Sequence, residues 1–345
     1  MQRKRPLKVL IASPLEPEQA RRIAAAAPGR IEVIYEPDLL PVPRYVADHK
    51  GRPPELNPEQ RECWLDHLRE ADILFDFDWL APERLVLHAP RLRWVQGTSA
   101  GIGELLRRTG LIDTDLLFTT ASGVHASPLA EFVILGLLYF YRDLPRLQRM
   151  QRAHHWERYT NRELAGSRAL VVGLGAVGRV IAQHLAAQGL EVWGARRTLD
   201  VPPPEGVRRV LPMADLVSVL GLIDALILAC PLTPETKGLI GAAELAAMPE
   251  GALLINVARG PVVDEEALVQ ALRGHLGGAA LDVATVEPLP DDSPLWDLPN
   301  VLISPHSAST VHAENRRIVD IFLANLGRYL AGEPLINRFD PARGY

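Results

Sequence analysis

The sequence predicts an α/β protein of two domains, each built on a doubly wound parallel sheet. Three observations lead there. Apolar strand-like runs alternate with helical patterns along most of the chain, as expected of parallel strands joined through helices. A glycine-rich turn, Gly173–Gly178, lies between an apolar run and a helical pattern. The chain has 345 residues, enough for two domains of ordinary size.

The elements follow in order. Apolar runs at Val9–Ala12, Ile73–Phe77, Trp94–Gln96 and Leu116–Thr119 read as strands, with helical patterns between them at Pro17–Ala27 and Glu59–Arg69. Residues 37–58 hold six prolines, too many for a regular element, and read as a long surface loop. Ala126–Tyr141 is a strongly apolar helix with Glu131 inside it. Its all-round apolarity predicts burial between domains or subunits. Residues 142–163 are rich in Arg and His. A second α/β block runs from Arg168 to about His306, and Ala308–Leu330 reads as one amphipathic helix ended by Gly332 and Pro334.

Composition excludes several classes. Hydrophobic residues make up 48% and charged residues 23%, which provides ample apolar surface for a core and excludes a disordered chain. The longest uncharged apolar runs, Phe132–Tyr141 and Ala169–Gly178, are ten residues each. A membrane-spanning helix needs about 20, so no membrane association is expected. The first residues carry basic side chains with no long apolar stretch behind them. No secretory signal is therefore expected, and the cytosol is the expected compartment. Cys63 and Cys230 are too few to staple the fold and form no metal-type cluster in the sequence. A net charge of −5 argues against a nucleic-acid partner. Of the 37 basic residues only four are lysine, a bias that codon composition explains, so an isolated Arg carries little information.

The glycine turn carries the first chemistry. Ala169-Leu-Val-Val precedes Gly173, Gly175 and Gly178 in G-x-G-x-x-G spacing, and a helical pattern follows. This is the context of the dinucleotide fingerprint. Gly173 allows the tight turn, Gly175 lets the backbone approach a pyrophosphate, and Gly178 lets helix pack on strand. The pyrophosphate would lie at the helix N-terminus, beside Ala176 and Val177, where free N–H groups and the dipole favour an anion. An NAD site places Asp or Glu about 20 residues on, against the ribose 2′-hydroxyl. Here the second strand, Leu190–Gly194, runs into Arg196 and Arg197, with no carboxylate before Asp200. Two guanidinium groups there suit a 2′-phosphate, so NADP(H) is expected over NAD(H).

Four more apolar runs, Ala225–Ala229, Ala252–Ile255, Gly278–Leu281 and Val301–Ile303, each lead into polar residues. Ligands of open α/β sheets bind beyond the carboxyl ends of the strands. Arg259, Asp282, Glu287 and His306 are therefore expected to converge on one crevice beside the dinucleotide. The types suit reduction of a 2-keto acid. Arg259 can clamp a carboxylate through two parallel hydrogen bonds. His306 can give a proton to the carbonyl oxygen near neutral pH, and Glu287 can orient and charge it. Each residue alone is more often structural; their joint placement makes the pattern catalytic.

These residues resemble the D-isomer-specific 2-hydroxyacid dehydrogenase family, which includes phosphoglycerate, glyoxylate/hydroxypyruvate and D-lactate dehydrogenases. The resemblance runs over about residues 90–310. It rests on Leu164-Ala-Gly166, Gly173–Gly178, Pro231–Ile240, Met248–Asp264, Gly278–Val283, Glu287-Pro288 and Ser293–His306. It implies that Arg259, Glu287 and His306 are catalytic. It also implies that Asp282 meets the nicotinamide carboxamide, that Pro231, Val257 and Ala258 line the cofactor, and that Ser99-Ala100-Gly101 hold the substrate carboxylate. No metal is implied. The implied fold is a Rossmann cofactor domain, 121–308, inserted into a flavodoxin-like substrate domain, 1–120, which the C-terminal segment 309–345 completes. The implied partner besides a small 2-keto or 2-hydroxy acid is a second copy, through the helix after Ala126. The sequence departs from the family at Arg196, where an acidic residue is usual, and in the 37–58 loop, expected to be a lid or substrate-selective flap. His154 and His155 show no metal-ligand spacing. A dinucleotide-sensing, non-enzymatic corepressor on the same fold is the alternative, opposed by the intact Arg, Glu and His. Oxidation of formate or phosphonate is a third reading.

Overall fold

The structure, a computed structural model, describes residues 5–344. The first strands and helices are β1 (Leu7–Ile11), α1 (Pro17–Ala25), β2 (Ile31–Ile34), α2 (Pro58–Glu70), β3 (Ile73–Phe75), α3 (Leu85–His88), β4 (Trp94–Gln96), α4 (Gly103–Thr109) and β5 (Leu117–Thr119). Then come α5 (Ala126–Tyr141), α6 (Leu144–Arg152), β6 (Arg168–Val172), α7 (Ala176–Ala187), β7 (Glu191–Arg196), β8 (Val207–Pro212), α8 (Leu216–Leu220) and β9 (Ala225–Leu228). The chain ends with α9 (Ala242–Ala247), β10 (Leu253–Asn256), α10 (Glu265–Gly274), β11 (Gly278–Leu281), β12 (Val301–Ile303) and α11 (Glu314–Ala331). Two compact units result: Met1–His125 with Thr310–Tyr345, and Ala126–Ser309.

The first unit is a five-stranded parallel sheet in the order β2-β1-β3-β4-β5, the doubly wound order of flavodoxin-like folds. Alternation along β1 sends Leu10 to one face and Val9 and Ile11 to the other. Trp64 and Leu68 of α2 cover the first face, and Ile318 and Phe322 of α11 cover the second. Phe322 stacks on Trp94 at 5.2 Å. Asn57 caps α2 reciprocally with Gln60, and Pro58 opens its first turn, which fixes where the proline-rich stretch ends.

That stretch is more ordered than expected. Pro37–Leu39 makes a single 3-10 turn, and Val42 and Arg52 pair as an antiparallel bridge. Asp48 anchors the tip: it is buried and accepts from Arg44 Nε at 2.7 Å and from Gly51 N at 3.0 Å. The Arg44 guanidinium holds its carboxyl well below the usual carboxylate range, against the opposing effect of burial.

The second unit is a seven-stranded parallel sheet in the order β12-β11-β10-β9-β6-β7-β8. Counting from β6, the order reverses between β6 and β9, as in Rossmann folds. Its central strands are apolar on both faces because helices cover both. Gly136 lets α5 approach the sheet: a Cβ there would stand 2.8 Å from Ala280 Cβ.

The structure refines the expected elements in three places. Within its own unit helix α5 buries one side, against β10, β11 and α7, and leaves Glu131, Leu135 and Leu138 exposed. The C-terminal helix starts at Glu314 rather than Ala308, because Ala308 N is drawn to Asp282 Oδ1 at 2.9 Å and turns follow. Strands β2 and β8 had no counterpart in the apolar pattern, since Glu32, Arg208 and Arg209 interrupt them.

Candidate active site

The site is built at the carboxyl end of the second sheet. Between β6 and α7 the three glycines have different surroundings. Gly173 has φ +94° and donates to Ala195 O at 2.8 Å. A Cβ there would press on Cys230 Cα at 2.7 Å, and one on Gly178 would fall 1.8 Å from Gly173 O. Gly175 has no such neighbour: its Cβ direction is open for 4 Å. Two glycines therefore serve packing, while the third keeps side chains away from the N-terminus of α7, where Ala176 and Val177 begin the helix. That arrangement fits a dinucleotide pyrophosphate.

Arg196 ends β7. Its Nη2 donates to the carbonyl oxygens of Val201 and Pro202, and its Nε is buried without a hydrogen bond. Both acceptors are neutral carbonyls. Arg197 lies near the turn after β9. Glu235 on that turn is held below its ordinary range by the Thr233 hydroxyl first and, further down, by the charge of Arg197. Pro231 opens the turn, and its carbonyl accepts from Thr236 Oγ1 at 2.6 Å. Beside it, burial pushes the Cys230 thiol up to about 11. Val257 is buried and tied to Leu228 O at 3.1 Å.

The turn after β10 is fixed by Asn256, whose Oδ1 accepts from Ala258 N at 3.0 Å and whose Nδ2 donates to Arg259 O at 3.1 Å. Arg259 Nη1 donates to Ala258 O at 2.7 Å. The turn presses on the loop after β11, because a Cβ on Gly260 would lie 2.0 Å from the Ala284 carbonyl. Only glycine permits this approach, which sets Arg259 beside the loop that carries Glu287.

Asp282 is buried at the end of β11. Its Oδ1 accepts from Ser304 Oγ at 2.7 Å and from Ala308 N at 2.9 Å, and its carbonyl accepts from His306 N at 2.9 Å. Burial raises its carboxyl despite these donors. His306 has φ +54°, a left-handed conformation uncommon outside glycine, held by its N–H bonds to Asp282 O and Ser304 O. The result is that His306 Nδ1 meets Glu287 Oε2 at 2.8 Å, while Glu287 Oε1 accepts from Ala284 N at 3.1 Å. Burial works to raise the Glu287 carboxyl, but the His306 hydrogen bond, Ala284 N–H and the charge of Arg259 outweigh it and lower it. Arg259, Asp282, Glu287 and His306 thus do come together, with Nδ1 of the imidazole occupied and Nε2 left for a ligand.

Ser99, Ala100 and Gly101 lie in the first unit, beyond the end of β4. Ser99 O accepts from Ala121 N at 3.1 Å, and Gly101 N donates to Ser99 Oγ at 3.2 Å, so one of the expected amides is already engaged. The same sheet end holds polar residues that the sequence reading missed. Asp76 after β3 has φ +71° and accepts from Thr98 Oγ1 at 2.9 Å, and burial raises its carboxyl. His49, on the proline-rich loop, lies 3.4 Å from Ser13 Oγ, and its Nε2 is 3.7 Å from Glu314 Oε1. His125 Nε2 meets the same oxygen at 3.1 Å. Burial opposes ionisation of Glu314, yet the two imidazoles bring its carboxyl down to about 2. Strand-end polar residues were the available signal; Glu314 and His49 come from distant segments and gave none. The fold also gathers Cys63 with Glu36 and His67, a group the sequence spacing did not suggest.

Comparison with known proteins places these features. Residues 134–308 match the family described as D-isomer specific 2-hydroxyacid dehydrogenase, NAD binding domain. A glyoxylate reductase from Thermofilum pendens is 34% identical over 292 residues, covering 80% of this chain and 83% of that protein. A D-isomer specific 2-hydroxyacid dehydrogenase from Xanthobacter autotrophicus Py2, solved with NADPH and MES, is 35% identical; the match covers 99% of this chain and 100% of that one, with a TM-score of 0.77. An NADPH-dependent glyoxylate/hydroxypyruvate reductase from Sinorhizobium meliloti, solved with NADP and sulfate, is 27% identical; coverage is 98% and 100%, with a TM-score of 0.76.

Proposed function

Since this chain belongs to the D-isomer specific 2-hydroxyacid dehydrogenase family, we propose that it reduces a small 2-keto acid, of the glyoxylate or hydroxypyruvate kind, to the D-2-hydroxy acid with NADPH. The observation that carries this reading is the His306–Glu287 pair at 2.8 Å, next to the Arg259 turn.

The roles follow from that geometry. Arg259 holds the substrate carboxylate and carbonyl through its guanidinium fork. Glu287 is ionised, so His306 carries hydrogen on Nδ1 and faces the substrate with Nε2. From Nε2 the imidazolium gives its proton to the carbonyl oxygen as the alcohol forms, and Glu287 stabilises the cation before transfer. Asp282 holds the ends of β11 and β12 together and keeps His306 in its left-handed conformation. The bound dinucleotide supplies the hydride. Gly175 gives its pyrophosphate access to the N-terminus of α7. Pro231, Val257 and Ala258 line its side of the crevice. Arg196 and Arg197 receive the 2′-phosphate, for which the absence of a carboxylate at the end of β7 is the main support.

We further read the protein as a cytosolic homodimer. Leu135 and Leu138, 49% and 39% exposed on α5, are the apolar face that a second copy would cover. Among the described residues no helix is long and apolar enough to cross a membrane. The test is a panel of 2-keto acids assayed with NADPH and with NADH. Turnover of glyoxylate or hydroxypyruvate with NADPH is expected; no turnover of any 2-keto acid would overturn the reading.

A further inference from the structure

We propose that Glu36, Cys63 and His67 form a zinc-type metal site that clips together the two ends of the proline-rich loop. Glu36 follows β2 and immediately precedes the loop. Cys63 and His67 lie on α2, which ends it, four residues apart and so on one helix face. His67 Nε2 is 2.8 Å from Glu36 Oε1 and 3.5 Å from Cys63 Sγ, and all three ligand atoms lie within 4.8 Å of one another.

Two of the three distances are close to those of a tetrahedral ion, and the third, sulfur to carboxylate oxygen, lies within 4.8 Å. Bonds of about 2.3 Å to sulfur and about 2.0–2.1 Å to nitrogen and oxygen separate the ligands by about 3.5 Å for S–N and about 3.3 Å for N–O. The sulfur–nitrogen pair is already at that spacing, and the nitrogen–oxygen pair needs to open by only about 0.5 Å. The donor set is thiolate, imidazole and carboxylate, which favours zinc over calcium or magnesium. Binding displaces the thiol proton of Cys63 to solvent, and thiolate plus carboxylate then balance the dication. Three protein ligands leave one position for water. Glu62 and Asp66 on the same helix are both paired with Arg69.

An ion bound here joins the end of β2 to α2 and closes the base of the loop that carries Asp48 and His49. It binds the folded chain and not the unfolded one, so it adds stability by mass action. The site is independent of the reaction proposed above.

The test uses the full-length protein after chelator treatment. Zinc is titrated in competition with a chromophoric chelator, and cobalt is added in a parallel series. One zinc per chain, a thiolate-to-cobalt charge-transfer band, and a rise in Tm with zinc are expected. Cys63→Ser should remove the band, and His67→Ala should remove the rise in Tm. Glu36 is exposed, so Glu36→Gln tests the site without loss of a packed side chain and should weaken zinc by tenfold or more. Absence of stoichiometric binding would overturn the proposal, as would zinc binding of unchanged affinity in all three variants, which would place the ion elsewhere.

Discussion

His306 Nδ1 lies 2.8 Å from Glu287 Oε2, and the carboxylate reaches it from the loop on which the Arg259 turn packs. Two strand ends and one glycine contact therefore fix the orientation of a single imidazole. The catalytic reading depends on that orientation, because a ring tied at Nδ1 has one nitrogen left for the substrate.

The first prediction concerns that tie. Glu287→Gln keeps the size and removes the charge. It should lower kcat/KM by about 10²–10⁴-fold, the range for acid–base groups and the carboxylates that orient them. The Glu287 carboxyl is held below its ordinary 4.5, so it stays ionised above that value and is protonated only as the pH falls further. Wild type should show no acid limb from protonation of Glu287 above pH 4.5; an acid limb at about pH 6 that vanishes in the variant would contradict the assignment.

The two glycines of the phosphate turn should respond in opposite ways. Gly178→Ala puts a Cβ 1.8 Å from Gly173 O and should destabilise the second unit by about 1–3 kcal/mol or more. Gly175→Ala meets no atom of the chain within 4 Å. Its Tm should be unchanged while NADPH affinity drops. Thermal melts with fluorescence binding distinguish the two, and equal loss of stability in both would remove the argument for an open cradle.

Arg196→Asp should weaken NADPH by about 10–100-fold, the worth of a charge-assisted contact, and leave NADH little changed. Parallel Kd measurements check this. Equal effects on both dinucleotides would mean that Arg196 serves only the carbonyls of Val201 and Pro202.

Glu314 makes a pH-dependent contribution to stability. Its folded carboxyl, at about 2, lies below the ordinary 4.5. A depressed carboxyl contributes fully above the unfolded value and loses that contribution as the pH falls toward the folded one. Wild-type protein should lose stability between pH 4.5 and 2 more steeply than Glu314→Gln. Urea midpoints across that range give the comparison, and parallel curves would exclude Glu314 as a source.

The central strands of the second unit were readable because they are short, apolar on both faces and lead into residues that chemistry can name, whereas β8 was hidden by Arg208 and Arg209. Asp282 follows such a strand directly and Arg259 and His306 follow theirs by three residues, and the parallel topology does the rest. Much of the first unit was less legible. Strand β2 carries Glu32 at its exposed side, so apolarity did not mark it. The cluster of His49, His125 and Glu314 assembles from three distant segments, none of which carries a motif. The Cys63, His67 and Glu36 group was not legible, because Glu36 stands 31 residues from His67 and joins it only in the fold. Helix α5 was expected to be buried between domains or subunits, and its composition hides which face meets the sheet; Gly136 marks that face, through its contact with Ala280.

The most direct test of the account compares wild type with Arg259→Ala in NADPH-dependent reduction of glyoxylate and hydroxypyruvate, with NADPH affinity measured alongside. Wild type should turn over at least one of the two. The variant should lose about 10²–10³-fold in kcat/KM, as when a transition-state donor is removed, while binding NADPH with unchanged affinity. Undiminished turnover in Arg259→Ala would contradict the account.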